Sequence, residues 1–203
     1  MIAVIDYGVG NLFSVGKALA SVGAEVEITH DIKTISRAEK ILLPGVGAFG
    51  DCMKSLGQTG LIPEILHEVK AGKPLLGICV GLQILFEGSD ESPGVPGLSL
   101  LPGMVRRIEA PKLKIPHMGW NSLLVNEPRQ EKDIFRDLPN APYVYFVHSY
   151  QARPRTEQFV TAWTTYGSLV TAAVAKDNIQ AVQFHPEKSG EVGLAVLRNF
   201  VES

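Results

Sequence analysis

The stretch GKPLLGICVGLQILFEG, residues 72–88, joins an apolar run to a helical pattern through a turn that carries a cysteine. Residues 74–78 (PLLGI) are predicted to form a buried strand, and residues 82–87 are predicted to form a helix. Cys79 stands between the two elements, with a glycine two residues away on either side. A strand that leads into a helix is the repeating unit of a parallel α/β sheet, so this stretch indicates the fold class as well as a candidate site.

The first half of the chain repeats this alternation of strand and helix. The predicted strands are residues 2–6 (IAVID), 24–30 (AEVEITH) and 40–45 (KILLPG), and the predicted helices are residues 12–21, 31–39 and 61–71. Such an order predicts a parallel sheet with helices on both of its faces.

The second half is dominated by strand-like runs that turn residues separate. These runs are LSLLPGMVRRI, NSLLVN, YVYFVHSY, FVTAWTTYG, SLVTAAVA and IQAVQFH, and a helix is predicted over residues 189–201. We expect antiparallel or mixed strands that extend the same sheet. The predicted fold is therefore one α/β domain over residues 1–203, with an open, mixed, largely parallel sheet flanked by helices and additional antiparallel strands in the second half.

Composition narrows the function classes. The chain has 203 residues, of which 45% are hydrophobic and 20% are charged, as in ordinary globular proteins. Its net charge of −2 gives no reason to expect nucleic acid or a membrane surface as a partner. Two cysteines are too few for a disulfide framework, and the N-terminus MIAVIDYG lacks a basic signal region. We expect a cytoplasmic protein.

Residues 77–81 (GICVG) have the form of a nucleophile elbow, a strained strand-to-helix turn that pushes the nucleophile out of the backbone. Glycines at both flanks let neighbouring chain segments approach closely, and free N–H groups at a helix N-terminus favour a thiolate. The alternative for Cys79 is a buried structural cysteine. Cys52 has no such glycines and lies in a helical pattern, so we expect it to pack in the core.

His185 is the candidate base for this thiol, in the run QFHPE (183–187). Residues two apart in an extended chain point to the same face, so Glu187 can hold one imidazole nitrogen while the other nitrogen meets the thiol. The alternative is a strand end that carries a solvated ion pair. A cysteine elbow elsewhere in the chain favours the catalytic interpretation.

A glycine loop at residues 44–47 (PGVG) follows a predicted strand and precedes a helix. It lacks the Gly-Lys-Ser/Thr of a nucleotide-binding loop, and the segment Gly8–Gly10 lacks the third glycine of a dinucleotide fingerprint, where Phe13 stands. Backbone N–H groups of such a loop can instead stabilise an oxyanion, which suits acyl transfer to a cysteine. We expect neither a cofactor nor a metal.

These residues resemble the class I, or triad-type, glutamine amidotransferases, whose signature is a G-x-C-x-G-x-Q elbow with a distant H-P-E. Further segments narrow the resemblance to the subunits that supply ammonia for the synthesis of imidazole glycerol phosphate. The segments that match appear in order as DYGVGNLFSV (6–15), LPGVGAFGDCM (43–53), GICVGLQILFE (77–87), PHMGWN (116–121), YFVHSY (145–150) and QFHPEKS (183–189). The elbow and H-P-E specify only the superfamily, and DYGVGN and PHMGWN narrow it. The resemblance covers nearly the whole chain and implies a flavodoxin-like fold. Where the family elbow commonly has leucine, this chain has Val80.

The resemblance implies a role for each matching residue. Cys79 would attack the carboxamide of L-glutamine, His185 would transfer protons, and Glu187 would orient His185. The oxyanion would be bound by backbone N–H groups of Val80 and of the loop residues Gly45, Val46 and Gly47. The amino-acid end of glutamine would be held by Gln83, Glu91, His148, Ser149 and Tyr150.

The resemblance also implies a partner, a (β/α)8-barrel cyclase that receives the ammonia in a heterodimer. The cyclase would use the ammonia to make imidazole glycerol phosphate and aminoimidazole carboxamide ribotide in histidine biosynthesis. The implied interface residues are Asn11, Met118, Trp120, Asn121, Tyr145 and Lys188. We interpret Gly-Trp-Asn (119–121) as a turn with an exposed aromatic anchor, the alternative for Met118 and Trp120 being core packing.

Three other functions remain open at this point. One is a glutaminase for another ammonia-channelling enzyme, such as pyridoxal phosphate synthase, although PHMGWN argues against it. A second is a cysteine peptidase or a hydrolase of other small amides. The third is a non-catalytic flavodoxin-like binding module, which the positions of cysteine, histidine and glutamate at predicted strand ends disfavour.

Overall fold

The computed structural model describes residues 1–126 and 133–203, and within them twelve strands and six α-helices are formed. The strands are β1 (Ile2–Ile5), β2 (Val26–Thr29), β3 (Lys40–Leu43), β4 (Leu75–Ile78), β5 (Gly103–Arg107), β6 (His117–Ser122), β7 (Leu124–Val125), β8 (Tyr143–His148), β9 (Tyr150–Pro154), β10 (Val160–Tyr166), β11 (Ser168–Lys176) and β12 (Ile179–Val182). The helices are α1 (Leu12–Ser21), α2 (Ile32–Arg37), α3 (Phe49–Thr59), α4 (Ile62–Lys70), α5 (Val80–Gln83) and α6 (Gly190–Glu202).

The main sheet of the described residues has eight strands in the order β2-β1-β3-β4-β12-β11-β10-β7. Its first five strands are parallel, and β11, β10 and β7 continue it in antiparallel pairing. Every residue of β1, β3 and β4 is buried, as expected where helices cover both faces of a parallel sheet. The predicted open, mixed, largely parallel sheet is therefore confirmed.

Four of the later strands do not extend the main sheet, contrary to expectation. β5 pairs with β9, and β6 pairs with β8, in two separate antiparallel ribbons. The segment PHMGWN contributes β6, so the turn predicted at Gly-Trp-Asn is wrong. A strand needs only one paired neighbour, and a local alternating pattern does not say which neighbour that is.

The helix predicted over residues 82–87 is also wrong in its extent, because α5 ends at Gln83. The carbonyl of Ile84 accepts from Leu98 N–H at 2.8 Å, and the carbonyl of Leu85 accepts from the N–H groups of Leu100 and Leu101. These carbonyls would otherwise bind N–H groups one turn further along a helix. A distant loop therefore takes the place of the next helical turn.

Loops at the carboxyl ends of β1, β3, β4 and β12 lie along one edge of the sheet, where α/β sheets place their ligand sites. They carry Tyr7–Asn11, the loop that begins at Pro44, Cys79 and His185. In the described parts of the chain, no helix combines the length and apolar character needed to cross a membrane.

Candidate active site

The elbow holds Cys79 in a backbone conformation that residues other than glycine rarely adopt. Cys79 has φ 57° and ψ −112°, and it lies directly after β4. Its N–H donates to the carbonyl of Val182 at the end of β12, at 2.8 Å. The strained turn of a nucleophile elbow is thus present at the predicted residue.

Close backbone packing explains the glycines on either side of the cysteine. A Cβ atom on Gly81 would lie 1.9 Å from the carbonyl oxygen of Leu43, and one on Gly77 would lie 2.9 Å from the carbonyl oxygen of Gly81. Only a residue without a side chain fits at either position. Gly81 lets the elbow press against the end of β3, and Gly77 lets the start of α5 lie close to β4.

His185 and Glu187 form the second part of the site. The Nδ1 atom of His185 lies 2.9 Å from Oε1 of Glu187, and the two side chains are only 3% and 1% exposed. The chain is not extended here, because residues 186–188 form a 3₁₀ turn. Ser189 Oγ fixes this turn by donating to the His185 carbonyl at 2.6 Å. The predicted pair is present, but a turn rather than a strand brings its members together.

The surroundings of His185 favour its charged form. Burial by itself lowers the pKa of His185, but a hydrogen bond to Cys79, a hydrogen bond to Glu187 and the negative charges of both outweigh burial. Together they raise the pKa of His185 to about 9. Because Nδ1 faces Glu187, Nε2 is left for the thiol. The site therefore favours an imidazolium at His185 beside the Cys79 sulfur, an arrangement that activated cysteine nucleophiles share.

Gln183 is a residue of this site for which the sequence analysis had no role. Its Nε2 atom lies 3.8 Å from Cys79 Sγ, and its Oε1 atom accepts from Gln83 Nε2 at 3.0 Å. Since Gln83 Nε2 also donates to the carbonyl of Tyr150, the Gln183 amide is held with its N–H groups toward the sulfur. Its position two residues before His185, on the same strand end, was the available signal.

The predicted oxyanion donors are only partly in place. Val80 N–H donates to the carbonyl of Gly45 at 3.3 Å, so that carbonyl occupies the place where an oxyanion would bind. Gly45 is buried, and Val46 and Gly47 are exposed at the mouth of the site. Turning the Gly45–Val46 peptide plane would remove the carbonyl and bring Val46 N–H toward the same position.

A cavity of about 400 Å³, a size typical of small-molecule sites, opens beside Cys79. Its wall brings together the predicted residues Val46, Gly47, Cys79, Val80, Gln83, Glu91, His148, Ser149, Tyr150 and His185. Lys188, predicted at the partner interface, lines it as well, and so do Pro116 and Val147, which the sequence analysis did not single out. Glu91 also caps α3, because its Oε2 accepts from Phe49 N–H at 2.8 Å.

His148 belongs to a second, uncharged histidine cluster at the edge of the cavity. Its Nδ1 lies 2.8 Å from the Tyr150 carbonyl, which can only accept, and its Nε2 lies 3.0 Å from Nδ1 of His117. Nε2 of His117 in turn lies 3.2 Å from Nδ2 of Asn121. This chain satisfies both neutral rings. Burial lowers the pKa of His148 to about 3 and that of His117 to about 4.

The predicted partner residues differ in how freely they meet solvent. Met118 and Trp120 are 61% and 56% exposed on one face of β6, so they are not core residues. Tyr145 lies beside them, edge-on to Trp120 with ring centroids 6.3 Å apart, and the ammonium group of Lys188 lies 5.9 Å from the Tyr145 ring. These four side chains form one exposed patch next to the cavity.

The two predicted asparagines have contacts within the chain. Asn11 is exposed, and its Oδ1 accepts from Ser14 N–H at the start of α1. Asn121 is half-buried, and its Nδ2 donates to the Thr165 carbonyl at 2.9 Å. Among the described residues, no three or more His, Cys, Asp or Glu side chains converge in a group that could hold a metal ion.

Comparison with known proteins decides the family. The profile described as glutamine amidotransferase class-I matches residues 3–203. The chain belongs to this family. Curated relatives of this amidotransferase include the imidazole glycerol phosphate synthase subunit HisH of Methanothermobacter thermautotrophicus, which is 52% identical over 100% of this chain and 98% of its own. The subunit of the same name from Geobacter metallireducens is 49% identical, again over 100% and 98% of the two chains.

Solved structures agree on the fold of this amidotransferase. A glutamine amidotransferase crystal structure superposes with a TM-score of 0.77 at 21% identity, over 100% of this chain and 98% of the other. The structure of PurLQS from Thermotoga maritima superposes with a TM-score of 0.76 at 22% identity, over 99% and 97%. At such identities the likeness shows the fold alone.

Proposed function

We propose that this amidotransferase is the glutaminase subunit of imidazole glycerol phosphate synthase, which hydrolyses L-glutamine to glutamate and ammonia. The observation that carries the proposal is the pair Cys79 and His185 on the wall of a cavity of about 400 Å³, with Glu187 behind His185 at 2.9 Å from its Nδ1. The proposal is supported by relatives named as this subunit, with about half of their residues identical over the whole chain.

The first half of the reaction uses the thiolate–imidazolium pair. Cys79 Sγ attacks the carboxamide carbon of glutamine, and the C=O electron pair moves onto oxygen. The tetrahedral intermediate then collapses, the C–N bond breaks, and His185 Nε2 gives its proton to the leaving nitrogen, which departs as ammonia. A γ-glutamyl thioester remains on Cys79. Glu187 stabilises the imidazolium and fixes the ring orientation, and Gln183 faces the sulfur.

The second half restores the enzyme. His185, now neutral, removes a proton from water, and the resulting hydroxide attacks the thioester carbon. Collapse of this second intermediate breaks the C–S bond, releases glutamate and returns the thiolate beside the imidazolium. Gln83, Glu91 and the segment His148–Tyr150 line the cavity where the amino-acid end of glutamine would lie.

Ammonia must be sheltered from water, where it is mostly protonated and unreactive. We therefore infer that the exposed patch of Met118, Trp120, Tyr145 and Lys188 docks a (β/α)8-barrel cyclase, which takes up the ammonia. Large exposed apolar side chains beside a catalytic cavity support this assignment. Two free cysteines support a reducing compartment, and the cytoplasm is our proposal.

The orientation of the Gly45–Val46 peptide would control the rate of glutamine hydrolysis. With the Gly45 carbonyl on Val80 N–H, the free chain lacks its oxyanion donors. A missing donor costs about 2.7–4 kcal/mol, or roughly a hundred- to thousandfold in rate. Partner binding, with ligand in the barrel, would favour the state in which this peptide plane is turned, and glutamine would not be wasted while the partner is empty.

The test measures glutamate release from glutamine by the chain alone, by its complex with the cyclase, and by the complex with the cyclase ligand bound. We expect a rise of roughly a hundredfold or more from the first state to the last. Asparagine, one methylene shorter, serves as the control amide and should react poorly in all three states. Absence of glutamate release in every state contradicts the proposed function, and equal rates contradict only the control step. Faster hydrolysis of other small amides would favour the broader cysteine hydrolase.

A further inference from the structure

Three consecutive carbonyl groups in the oxyanion loop have three different partners. The carbonyl of Pro44 accepts from the Tyr7 hydroxyl, and that of Gly45 accepts from Val80 N–H at 3.3 Å. The carbonyl of Val46 accepts from Cys52 Sγ at 3.3 Å. The outer two partners are buried side chains, whereas the middle one is the backbone donor that catalysis requires.

Tyr7 and Cys52 contact the loop from the protein interior. Tyr7 lies just after β1 and is 3% exposed, and Cys52 lies in the first turns of α3 and is fully buried. The two buried donors thus contact the flanking peptide groups, and neither residue itself lines the cavity.

Both groups remain protonated donors. Burial raises the pKa of Tyr7 well above its usual value, and the neighbouring Cys52 and Cys79 sulfurs raise it further. Burial also raises the pKa of the Cys52 thiol. Cys52 is therefore no second nucleophile, and its proton is available to the Val46 carbonyl.

Helix α3 gives Cys52 a fixed position. The first N–H groups of this helix are bound from a separate loop, since Phe49 N–H donates to Glu91 Oε2 and Gly50 N–H donates to Ser92 Oγ at 3.0 Å. A Cβ atom on Gly45 would lie 2.5 Å from the N atom of Gly81, so the loop is also tightly packed against the elbow. Large movement of the whole loop is therefore obstructed, while a single peptide plane can still turn.

We propose that Tyr7 and Cys52 are positioning residues that hold the Pro44–Gly45 and Val46–Gly47 peptide planes, so that only the Gly45–Val46 plane turns during activation. This proposal rests on the proposed function. Turning one plane changes only ψ of Gly45 and φ of Val46, and glycine tolerates the change at little steric cost. With its neighbours held, the turned plane places Val46 N–H at one defined position beside Val80 N–H.

This role revises the expectation that Cys52 only packs. Loss of the Cys52 or Tyr7 donor leaves a loop carbonyl without its side-chain partner and lets its peptide plane drift, so the oxyanion donors are misplaced when they form. Since a net hydrogen bond of this kind corresponds to about 2- to 12-fold in rate, we expect kcat for glutamine hydrolysis to fall by about that factor. The KM should change little, because substrate contacts lie on the cavity wall.

The experiment compares Cys52→Ala, Cys52→Ser and Tyr7→Phe in the complex with the cyclase and its ligand. It measures kcat and KM for glutamine, together with the rate at which iodoacetamide alkylates Cys79. Alkylation is a displacement at a saturated carbon and forms no oxyanion, so it reports on the triad and the fold but not on the loop. Leu56→Val, one turn further along the same buried helix face, is the control for packing.

We expect Cys52→Ala and Tyr7→Phe to lower kcat with unchanged alkylation, and Cys52→Ser, which keeps a donor, to restore kcat. Leu56→Val should lower stability without lowering kcat. A wild-type kcat in Cys52→Ala, equal losses in the alanine and serine variants, or a parallel fall in Cys79 alkylation would each overturn the proposal. Failure of the wild-type complex to hydrolyse glutamine would overturn the proposed function itself, together with this inference.

Discussion

The site at His185 and the cluster of His117 and His148 are two buried histidine regions with opposite charge preferences. The pKa of His185 is raised to about 9, whereas those of His148 and His117 are lowered to about 3 and 4. Burial opposes the charged form in both regions. Only His185 has acidic partners, Cys79 and Glu187, and its positive charge further lowers the pKa of His148.

This difference shows that burial alone does not decide the charge of a histidine. The Glu187 carboxylate and the Cys79 sulfur stabilise the imidazolium of His185, while carbonyl and amide partners satisfy the neutral rings of His148 and His117. We propose that the charged region performs the chemistry, whereas the neutral region fixes β6 and β8, whose outer face is the proposed docking patch.

The largest expected effect comes from removing the nucleophile of the charged region. Cys79→Ala in the reconstituted complex should abolish glutamine-dependent synthesis, because no thioester can form. Synthesis from added ammonium salts should remain, since the partner's chemistry does not use this thiol, and it serves as the control for folding and assembly. Near wild-type glutamine hydrolysis by the variant would show that another residue is the nucleophile.

Removing the charge of Glu187 tests why His185 is cationic. Glu187→Gln should lower kcat by roughly 10²–10⁴-fold, because the ring loses its orienting carboxylate. The pKa of His185 should also fall from about 9, so the alkaline limb of the pH–rate profile should move to lower pH. Glu191→Gln, on the exposed first turn of α6, is the matched control. An unmoved alkaline limb in Glu187→Gln would contradict the assigned cause of the pKa shift.

The outer face of the neutral region is tested by Trp120→Ala. Loss of an exposed aromatic anchor at the centre of an interface should raise the Kd for the cyclase by roughly 30-fold or more. Titration calorimetry measures this change, and unchanged alkylation of Cys79 by iodoacetamide controls for the fold. An unaltered Kd would place the docking surface elsewhere.

The buried histidines of the neutral region are tested through the pH dependence of stability. The pKa of His117 in the folded chain lies below the unfolded value of about 6.5, so the unfolded chain binds the extra proton. Stability from the neutral ring is complete above pH 6.5 and is lost as the pH falls toward about 4. Between pH 6.5 and 5 the loss is about 2 kcal/mol. In urea titrations, the free energy of unfolding of His117→Gln should therefore fall by about 2 kcal/mol less than that of the wild type over this pH range. Equal falls in the two proteins would contradict a neutral, buried His117.

Local sequence was enough to predict the candidate catalytic residues and the edge of the sheet that carries them. The ends of the apolar runs and the turn residues after them placed Cys79, His185 and the Pro44 loop at strand ends, because hydrophobic period and glycine position are local signals. The same local signals could not show that β5, β6, β8 and β9 leave the main sheet, or that a distant loop ends α5 at Gln83.

Tertiary structure alone decided the orientations and the charges of these residues. The orientation of the Gly45 carbonyl, the amide of Gln183 facing the sulfur and the donors beneath the oxyanion loop all depend on neighbours from other strands and helices. So do the charges of the three buried histidines, since desolvation and hydrogen bonding act through space and not along the chain. A sequence names the titratable groups and the turns, whereas a pKa and a peptide orientation are properties of the environment that the folded chain builds around them.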